Sequence, residues 1–440
     1  MYQPILPSTS STIHQIKQRP PTHPLFGKKH FVNSRTISLN VVSGKALVAS
    51  YYPDHTSKGE NALTANNLLQ PTGQRVVVSE FGETPVEAME KFISLEEVAS
   101  PNPEELEATD VIIAVKSATV GWVDLLMTSG QYQHMPSPPY CPGLEYSGVV
   151  AWKGSEVSSS IQVGDEVMID GFTAGPRSYG HHQKYGGFAH YAVAPEKAIL
   201  PLPKGFSLDQ GANFLGNYET AYHCLIACGR IQAGETVLIH GASGSTGLAA
   251  VHLAKLMGAT VIATGRSDEK LAVVKAQGAD HVINSRGEEG QAVSRFRQEV
   301  KELTDGKGVD VVYDGVGGAV SLESLRCVKF GARFLIVGWA ATPYVAKGKG
   351  KRGAPNANML PTNLIMMKGL QVLGCPTVIS TKHDPGIRVE RLETLLKWAN
   401  EGKISPHISH IYPLSDFKEA MQAKWSGKVI GGAVLHPFGT

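Results

Sequence analysis

Residues 236–247 read TVLIHGASGSTG, and LAAVHLAKLMGA (248–259) follows at once. A short apolar strand that ends in glycines and opens a helix is shaped to hold a phosphate. Gly241, Gly244 and Gly247 stand three apart. Without Cβ atoms they let the chain turn sharply and let peptide N–H groups approach a pyrophosphate. The helix from Ser245 adds unpaired N–H groups and a partial positive charge. Ser243, Ser245 and Thr246 share the turn and are expected to line the anion. Standing alone, the motif serves equally well as a bare strand-to-helix connection, so its surroundings decide.

Those surroundings alternate. ATVIATG (259–265), HVINS (281–285), VDVVYDG (309–315), ARFLIVG (332–338) and LQVLG (370–374) are short Val/Ile/Leu-rich runs, separated by helix-compatible stretches such as SDEKLAVVKAQGA (267–279). Strands alternating with helices predict crossover units and a parallel sheet covered on both faces. Six such strands suit an α/β, doubly wound dinucleotide fold. Earlier in the chain the rhythm differs. QRVVVSEFG (74–82), DVIIAVKSATV (110–120), YSGVVAWKG (146–154), VGDEVMI (163–169) and FAHYAVAP (188–195) are closely spaced strands of a mostly β domain. After residue 377 comes a helical stretch, 388–402, and then GKVIGGAVLH (427–436), a strand expected to rejoin the first domain. The expected layout is a β domain from 74–200 and 377–440, with the dinucleotide domain at 201–376 between them.

The end of the second strand selects the coenzyme. An NAD site usually places an acid there for the ribose 2′-hydroxyl. Here the chain reads ATGRSDEK (263–270). Gly265 leaves space, and Arg266, Ser267 and Lys270 suit a 2′-phosphate, although an arginine at this place also serves as an ordinary surface residue. Asp268 and Glu269 lie further on, where acids favour a helix start. The expected cofactor is NADPH. DGVGG (314–318) and VGWAA (337–341) follow the fourth and fifth strands, so Gly315, Gly317, Gly338 and Trp339 are expected beside the nicotinamide ribose and ring.

The rest of the composition mainly excludes. With 440 residues, 42% of them hydrophobic, the chain can bury large cores, and a formal charge of +2 gives no reason to expect nucleic acid as a partner. No stretch approaches a membrane span of ~20 apolar residues. Five scattered cysteines, odd in number and without a CxxC pair, argue against a disulfide framework or a four-cysteine zinc lobe. The first 53 residues hold no Asp or Glu yet carry Lys17, Arg19, Lys28, Lys29, Arg35 and Lys45. Such an acid-free, hydroxyl-rich leader resembles an organelle transit peptide, and import into the mitochondrion, ahead of the plastid, is expected; a plain disordered tail on a cytoplasmic protein is the alternative. Residues 54–73 read as a linker completing a leader segment of 1–73. His181 and His182, in YGHHQKYGG (179–187), have no carboxylate or cysteine nearby in metal spacing; a solvated loop is expected and no metal is assigned. A basic loop at 341–359, with Lys347, Lys349, Lys351 and Arg352, reads as solvated, or as attractive to an acidic substrate.

From about residue 74 onward the chain resembles the medium-chain dehydrogenase/reductase superfamily, specifically its zinc-free quinone oxidoreductase (ζ-crystallin-like) branch. The matching stretches run in family order: SGQY (129–132), PGLEYSGVV (142–150), VGDEV (163–167), GGFAHYAV (186–193), NYETAYHCL (217–225), GASGSTG, GADHVIN (278–284) and LPTNLIMMKGLQVLG (360–374). The resemblance implies a GroES-like β domain built from both chain segments, with an inserted Rossmann doubly wound parallel sheet, and a homodimer. It implies that Gly244 and Gly247 line the pyrophosphate and that Lys270 pairs with the 2′-phosphate. It also places Tyr132 against the nicotinamide and Thr220 near its carboxamide.

Departures from the family also carry information. The early catalytic loop reads VGWVD (120–124) and the later triplet GLE (143–145), so two ligands of the zinc alcohol dehydrogenases are missing. Asp124 and Glu145 alone cannot hold a catalytic zinc, which wants three protein ligands. Trp122 or its neighbour replaces an asparagine common in quinone reductases. Ser285 replaces a tyrosine, with Arg286 next to it to supply phosphate contact. Catalysis then rests on alignment of donor and acceptor, plus a hydrogen-bond donor for the developing oxyanion. Tyr132 is the candidate donor, with Tyr218 or solvent behind it; Tyr132 serves equally as an aromatic wall. The function these readings favour is NADPH-dependent, zinc-independent hydride transfer to a small molecule, a quinone or related conjugated carbonyl. The alternatives are an enoyl- or acryloyl-thioester reductase and a non-catalytic NADPH-binding protein.

Overall fold

The structure, a computed structural model, describes residues 68–132, 134–288, 293–341 and 358–439. Most of the leader and of the basic 341–359 loop therefore lies outside the described residues. The linker expected to run to 73 ends earlier, because Leu68 and Leu69 pack against a cluster containing Ile112 and Tyr191. The Gln70 N–H donates to the Tyr191 hydroxyl at 2.9 Å.

The strands are β1 (Thr72–Val78), β2 (Ile93–Ala99), β3 (Asp110–Thr119), β4 (Tyr146–Lys153), β5 (Glu166–Ile169), β6 (Tyr191–Pro195), β7 (Ile199–Pro201), β8 (Thr236–Ile239), β9 (Thr260–Gly265), β10 (His281–Asn284), β11 (Val309–Asp314), β12 (Val328–Ile336), β13 (Gln371–Gly374), β14 (Ile408–Pro413) and β15 (Gly432–His436). Three sheets result: the β1–β2 ribbon, a six-stranded sheet in the order β10-β9-β8-β11-β12-β13, and a seven-stranded sheet in the order β14-β15-β3-β4-β5-β7. β6 pairs with β3 off that path.

Every pairing in the six-stranded sheet is parallel. Counted from β8, its order is 3-2-1-4-5-6, so the direction of winding reverses between β8 and β11, and a crevice opens at their carboxyl ends. The central strands β8, β9 and β11 are mostly apolar and buried because both faces are covered, whereas the outer strands β10 and β13 are more exposed. Val237 and Ile239 of β8 face one core, shared with Leu395 and Leu396 of the helix Ile387–Asn400. Leu238 faces the other, with Phe296 and Val300. The alternation follows from the two-residue period of a strand.

In the β lobe, Val111, Ile113 and Val115 of β3 face the main core, while Ile112 and Ala114 face the cluster that takes in Leu68. β15 pairs antiparallel with β3, Val434 opposite Thr119, so the chain's last strand does return to the first lobe. The return by strands begins at Ile408, later than the change of lobe expected at 377. The helix Ile387–Asn400 still packs on the dinucleotide sheet, because Leu392, Leu395 and Leu396 form an apolar face that the sheet buries. Among the described residues no helix is long and apolar enough to cross a membrane.

Candidate active site

The glycine turn follows β8. Gly241 has φ +63°, a conformation that favours glycine. A Cβ on Gly247 would lie 2.3 Å from the Gly241 carbonyl oxygen, so the turn and the helix Ser245–Leu256 approach as closely as glycine allows. The first-turn N–H groups of Ser245, Thr246 and Gly247 have no partner within the helix and face the crevice end of the sheet. The hydroxyls of this turn have other duties. Ser245 Oγ donates to the Gly431 carbonyl at 2.6 Å, and Thr246 Oγ1 donates to Asn217 Oδ1 at 2.9 Å. Gly431 N–H donates to the Ser243 carbonyl at 2.8 Å. The turn therefore presents backbone to a ligand, while Ser245 fastens it to the segment that leads into β15 and Thr246 fastens it to the helix Leu215–Tyr222.

At the end of β9, Ser267 caps the helix Asp268–Ala276, and Asp268 stands in that helix's first turn. Asp268 Oδ1 accepts from Asn284 Nδ2 at 2.9 Å, which turns the acid toward β10. Arg266 and Arg286 are exposed. Lys270 reaches across to the other lobe, where its Nζ donates to the carbonyls of Gly427 and Val429. A second lysine meets it there. Lys424, on the helix Phe417–Trp425, donates to Ser245 Oγ at 3.2 Å and to the Gly431 carbonyl at 3.4 Å. Burial, together with the charge of Lys270, pushes the Lys424 ammonium down to about 8, against the opposing pull of Asp124. Sequence reasoning missed Lys424, because a lysine in a helix's last turn has an ordinary explanation in the helix dipole.

The two further glycine turns come together. Val337 N–H donates to the Asp314 carbonyl at 2.9 Å and Ala340 N–H to the Gly315 carbonyl at 3.2 Å. Asp314 accepts from Val316 and Gly317 N–H, each at 2.9 Å, and from Ser321 Oγ. Gly317 has φ +79°, and a Cβ on Gly315 would meet nothing within 4 Å, which leaves open space above the turn. Gly338 backs onto Gly315, and Trp339 is half exposed beside them.

The two candidate catalytic tyrosines separate. Tyr132 is half-buried in the loop after the helix Trp122–Met127. Beside it, both carboxamide atoms of Gln131 are buried without a hydrogen-bond partner, the kind of orphan that a ligand satisfies. Tyr218 must be withdrawn as the second donor. It is only 2% exposed, its hydroxyl lies 2.7 Å from His252 Nδ1, and its ring leans on Phe214. Tyr218 belongs to the apolar stripe of the helix Leu215–Tyr222, with Leu215 and Ala221, and burial holds its phenol above the ordinary range. Thr220, on the same helix, is half-buried.

Two buried carboxyls, Asp124 and Glu145, flank in sequence the loop that carries Tyr132. Asp124 Oδ1 accepts from Gly143 and Leu144 N–H, and Oδ2 from Gly121 N–H, all at 3.0 Å. Burial outweighs these three bonds and raises its carboxyl to about 6. Burial likewise raises Glu145 to about 7, although Arg177 stands 3.8 Å away and the Gly216 N–H donates to it. Trp122 stacks on Trp425, centroids 5.2 Å apart and planes within 7°. The early loop is thereby joined to the helix that carries Lys424.

The parts fit a nicotinamide dinucleotide. A Cβ-free turn with free N–H groups suits a pyrophosphate, two ammonium groups hydrogen-bonded to backbone carbonyls and a hydroxyl stand beside it, and the β11 and β12 turns leave space beyond.

Comparison with known proteins agrees. Residues 107–204 match the alcohol dehydrogenase GroES-like domain and residues 245–389 the zinc-binding dehydrogenase family. The chain is 32% identical over 370 residues to quinone oxidoreductase-like protein 2 homolog of Nematostella vectensis, covering 82% of this chain and 90% of that protein. It is 31% identical over 354 residues to quinone oxidoreductase of Sus scrofa, covering 79% and 94%. The crystal structure of Escherichia coli quinone oxidoreductase complexed with NADPH superposes with a TM-score of 0.65 at 25% identity, covering 83% of this chain and 100% of that one. The chain belongs to the medium-chain dehydrogenase/reductase superfamily and is an oxidoreductase related to the quinone oxidoreductases.

Proposed function

We propose that the protein is an NADPH-dependent reductase that passes hydride to quinones or related conjugated carbonyl compounds without a catalytic metal. The observation that carries this reading is the pair Lys270 and Lys424. Two ammonium groups come from different lobes, Lys424 on Ser245 of the glycine turn and Lys270 on the Gly427 and Val429 carbonyls, while Asp268, the nearest acid after β9, is bonded to Asn284. That arrangement favours a coenzyme with an extra phosphate over one with a free 2′-hydroxyl. The coenzyme of the solved E. coli relative supports the same choice.

In this reading the N–H groups of residues 244–247 hold the pyrophosphate. Lys270, with Arg266, Ser267 and Arg286, pairs with the 2′-phosphate over Gly265. Gly315, Gly317, Gly338 and Trp339 flank the nicotinamide end, and Thr220 lies toward its carboxamide. When bound, NADPH supplies the hydride. Tyr132 lines the acceptor and donates to the oxyanion that develops on it. Zinc independence is supported by the donor set: among the described residues no group of three potential ligands includes Asp124 or Glu145, and both carboxyls are committed to N–H groups or to Arg177. The acid-free leader supports mitochondrial import.

The test is an assay of the full chain with NADPH and NADH, offered phenanthrenequinone and then crotonyl-CoA. Oxidation of NADPH by the quinone, with weaker use of NADH, is expected, and prolonged treatment with chelator does not abolish it. Turnover of crotonyl-CoA alone would reassign the protein to thioester reduction, and binding without turnover of either would remove it from catalysis.

A further inference from the structure

A second cluster lies at the other end of β3. The sequence gives His181 and His182 no neighbour of metal-binding chemistry, and a solvated loop is expected on that ground. The fold corrects this. Asp110, 71 and 72 positions upstream, opens β3 and is fully buried. His181 Nε2 lies 3.0 Å from its Oδ2, and His182 Nε2 lies 2.7 Å from its Oδ1. The two rings sit side by side, centroids 3.8 Å apart, on the short turn Gly180–Lys184, which Gly180 enters with φ +73°. We propose that Asp110, His181 and His182 form a binding site for one divalent transition ion of the zinc class, which clamps the 175–187 loop to the start of β3.

Four observations carry the proposal. The three donor atoms already lie within 4.8 Å of one another. Donors on one zinc ion, at ~2.0–2.2 Å from it, are separated by roughly 3.3 Å, so the ion enters after the N–O separations widen by less than about 1 Å. Two imidazoles and a carboxylate match the nitrogen and oxygen donors that such an ion prefers, with a fourth position open to water. His181 Nδ1 faces Glu107 Oε1 at 3.6 Å, an outer carboxylate of the kind that fixes the ring of a metal-bound histidine. Charge points the same way. Among the described residues the ion-pair partners of Asp110 are these two histidines, and that of Glu107 is His181. A divalent ion among these donors places its charge between both carboxylates.

The site is remote from hydride transfer. β3 runs ten residues, about 30 Å, from Asp110 to Thr119, and Thr119 is the end that meets the dinucleotide lobe, through Asn213. Its effect is on position. The clamped loop carries Arg177, which stands against Glu145, and Ser178, whose carbonyl lies 3.5 Å from His134 in the loop of Tyr132.

The full-length protein is stripped with chelator, dialysed, and titrated with Co²⁺ and then Zn²⁺, following the visible absorption of cobalt, calorimetric stoichiometry and melting temperature. One equivalent of Co²⁺ binds, Zn²⁺ displaces it, and the melting temperature rises. The His181 side chain is 37% exposed and that of His182 12%, on a surface turn, whereas Asp110 is fully buried, so the double variant His181→Ala, His182→Ala is expected to fold, as judged by retained NADPH binding, and to lose the cobalt spectrum. Glu107→Gln, at an exposed position, weakens binding by about 10-fold or more without removing a ligand. No saturable Co²⁺ binding by the parent overturns the proposal, and so does equal affinity in the double-histidine variant.

Discussion

At the scale of single residues, the glycine turn was legible because its logic is local: strand, three glycines and helix are contiguous. Lys424 was not legible, because it reaches Ser245 from 179 positions away and nothing next to it announces a ligand. Tyr218 misled for the converse reason. It lies within the matched NYETAYHCL stretch, yet its place on the helix turns it inward to His252. Lys424 also gives the site a pH dependence. Its pKa, about 8, is depressed, so the ammonium is charged below that pH and lost above it. An incoming phosphate favours the charged form, so coenzyme binding takes up a proton above pH 8. The dissociation constant for NADPH should therefore climb as pH rises from 8 to 9, by up to about tenfold per pH unit. Lys424→Met should bind NADPH about 10- to 100-fold more weakly at pH 7 and lose that slope, as read by coenzyme fluorescence titration.

At the scale of elements, strands and helices were readable from their alternation, because the central strands β8, β9 and β11 are buried on both faces and rich in Val, Ile and Leu. The helix Ile387–Asn400 was the exception in allegiance: its apolar face could have served either lobe, and only the fold shows which sheet it covers. A buried ion network explains how it is held. Arg388 is bidentate to Asp170, both bonds 2.7 Å, and also bonds Glu219; Arg391 bonds Glu219 at 2.9 Å and Thr381 at 2.8 Å. Asp170 closes β5 in the β lobe and Glu219 lies on the helix Leu215–Tyr222, so one guanidinium ties three elements together. Burial alone would raise the Asp170 carboxyl, but Arg388 outweighs it and holds the group below its ordinary value. Arg388→Met leaves that carboxylate buried and unpaired and should cost about 3–5 kcal/mol in denaturant unfolding. The sign with pH follows. A depressed carboxyl contributes stability above its unfolded pKa, near 4, and loses it as pH falls through the folded value. The deficit of the variant should be largest at neutral pH and shrink in acid.

At the scale of the whole molecule, two chain segments far apart in sequence had to be assigned to one β lobe, and the family likeness supplied what periodicity could not. What no pattern could supply was Asp110 beside His181 and His182, since only the path of β3 brings them together. We also propose a homodimer, formed along the outer edge of the dinucleotide sheet. Phe330 is 83% exposed and Met366 74% exposed, near the edge strand β13. A pair Phe330→Glu, Met366→Glu should sediment as a monomer with NADPH binding intact; a parent that is itself monomeric removes the proposal. The seam between the lobes has one further consequence. Gly431 is bonded through its N–H to Ser243 and through its carbonyl to Ser245, so the lobes cannot part there without unmaking both links. An opening of the crevice that keeps both links is a hinge about Gly431. In such an opening the rim farthest from Gly431 travels most and the turn around Ser243 least.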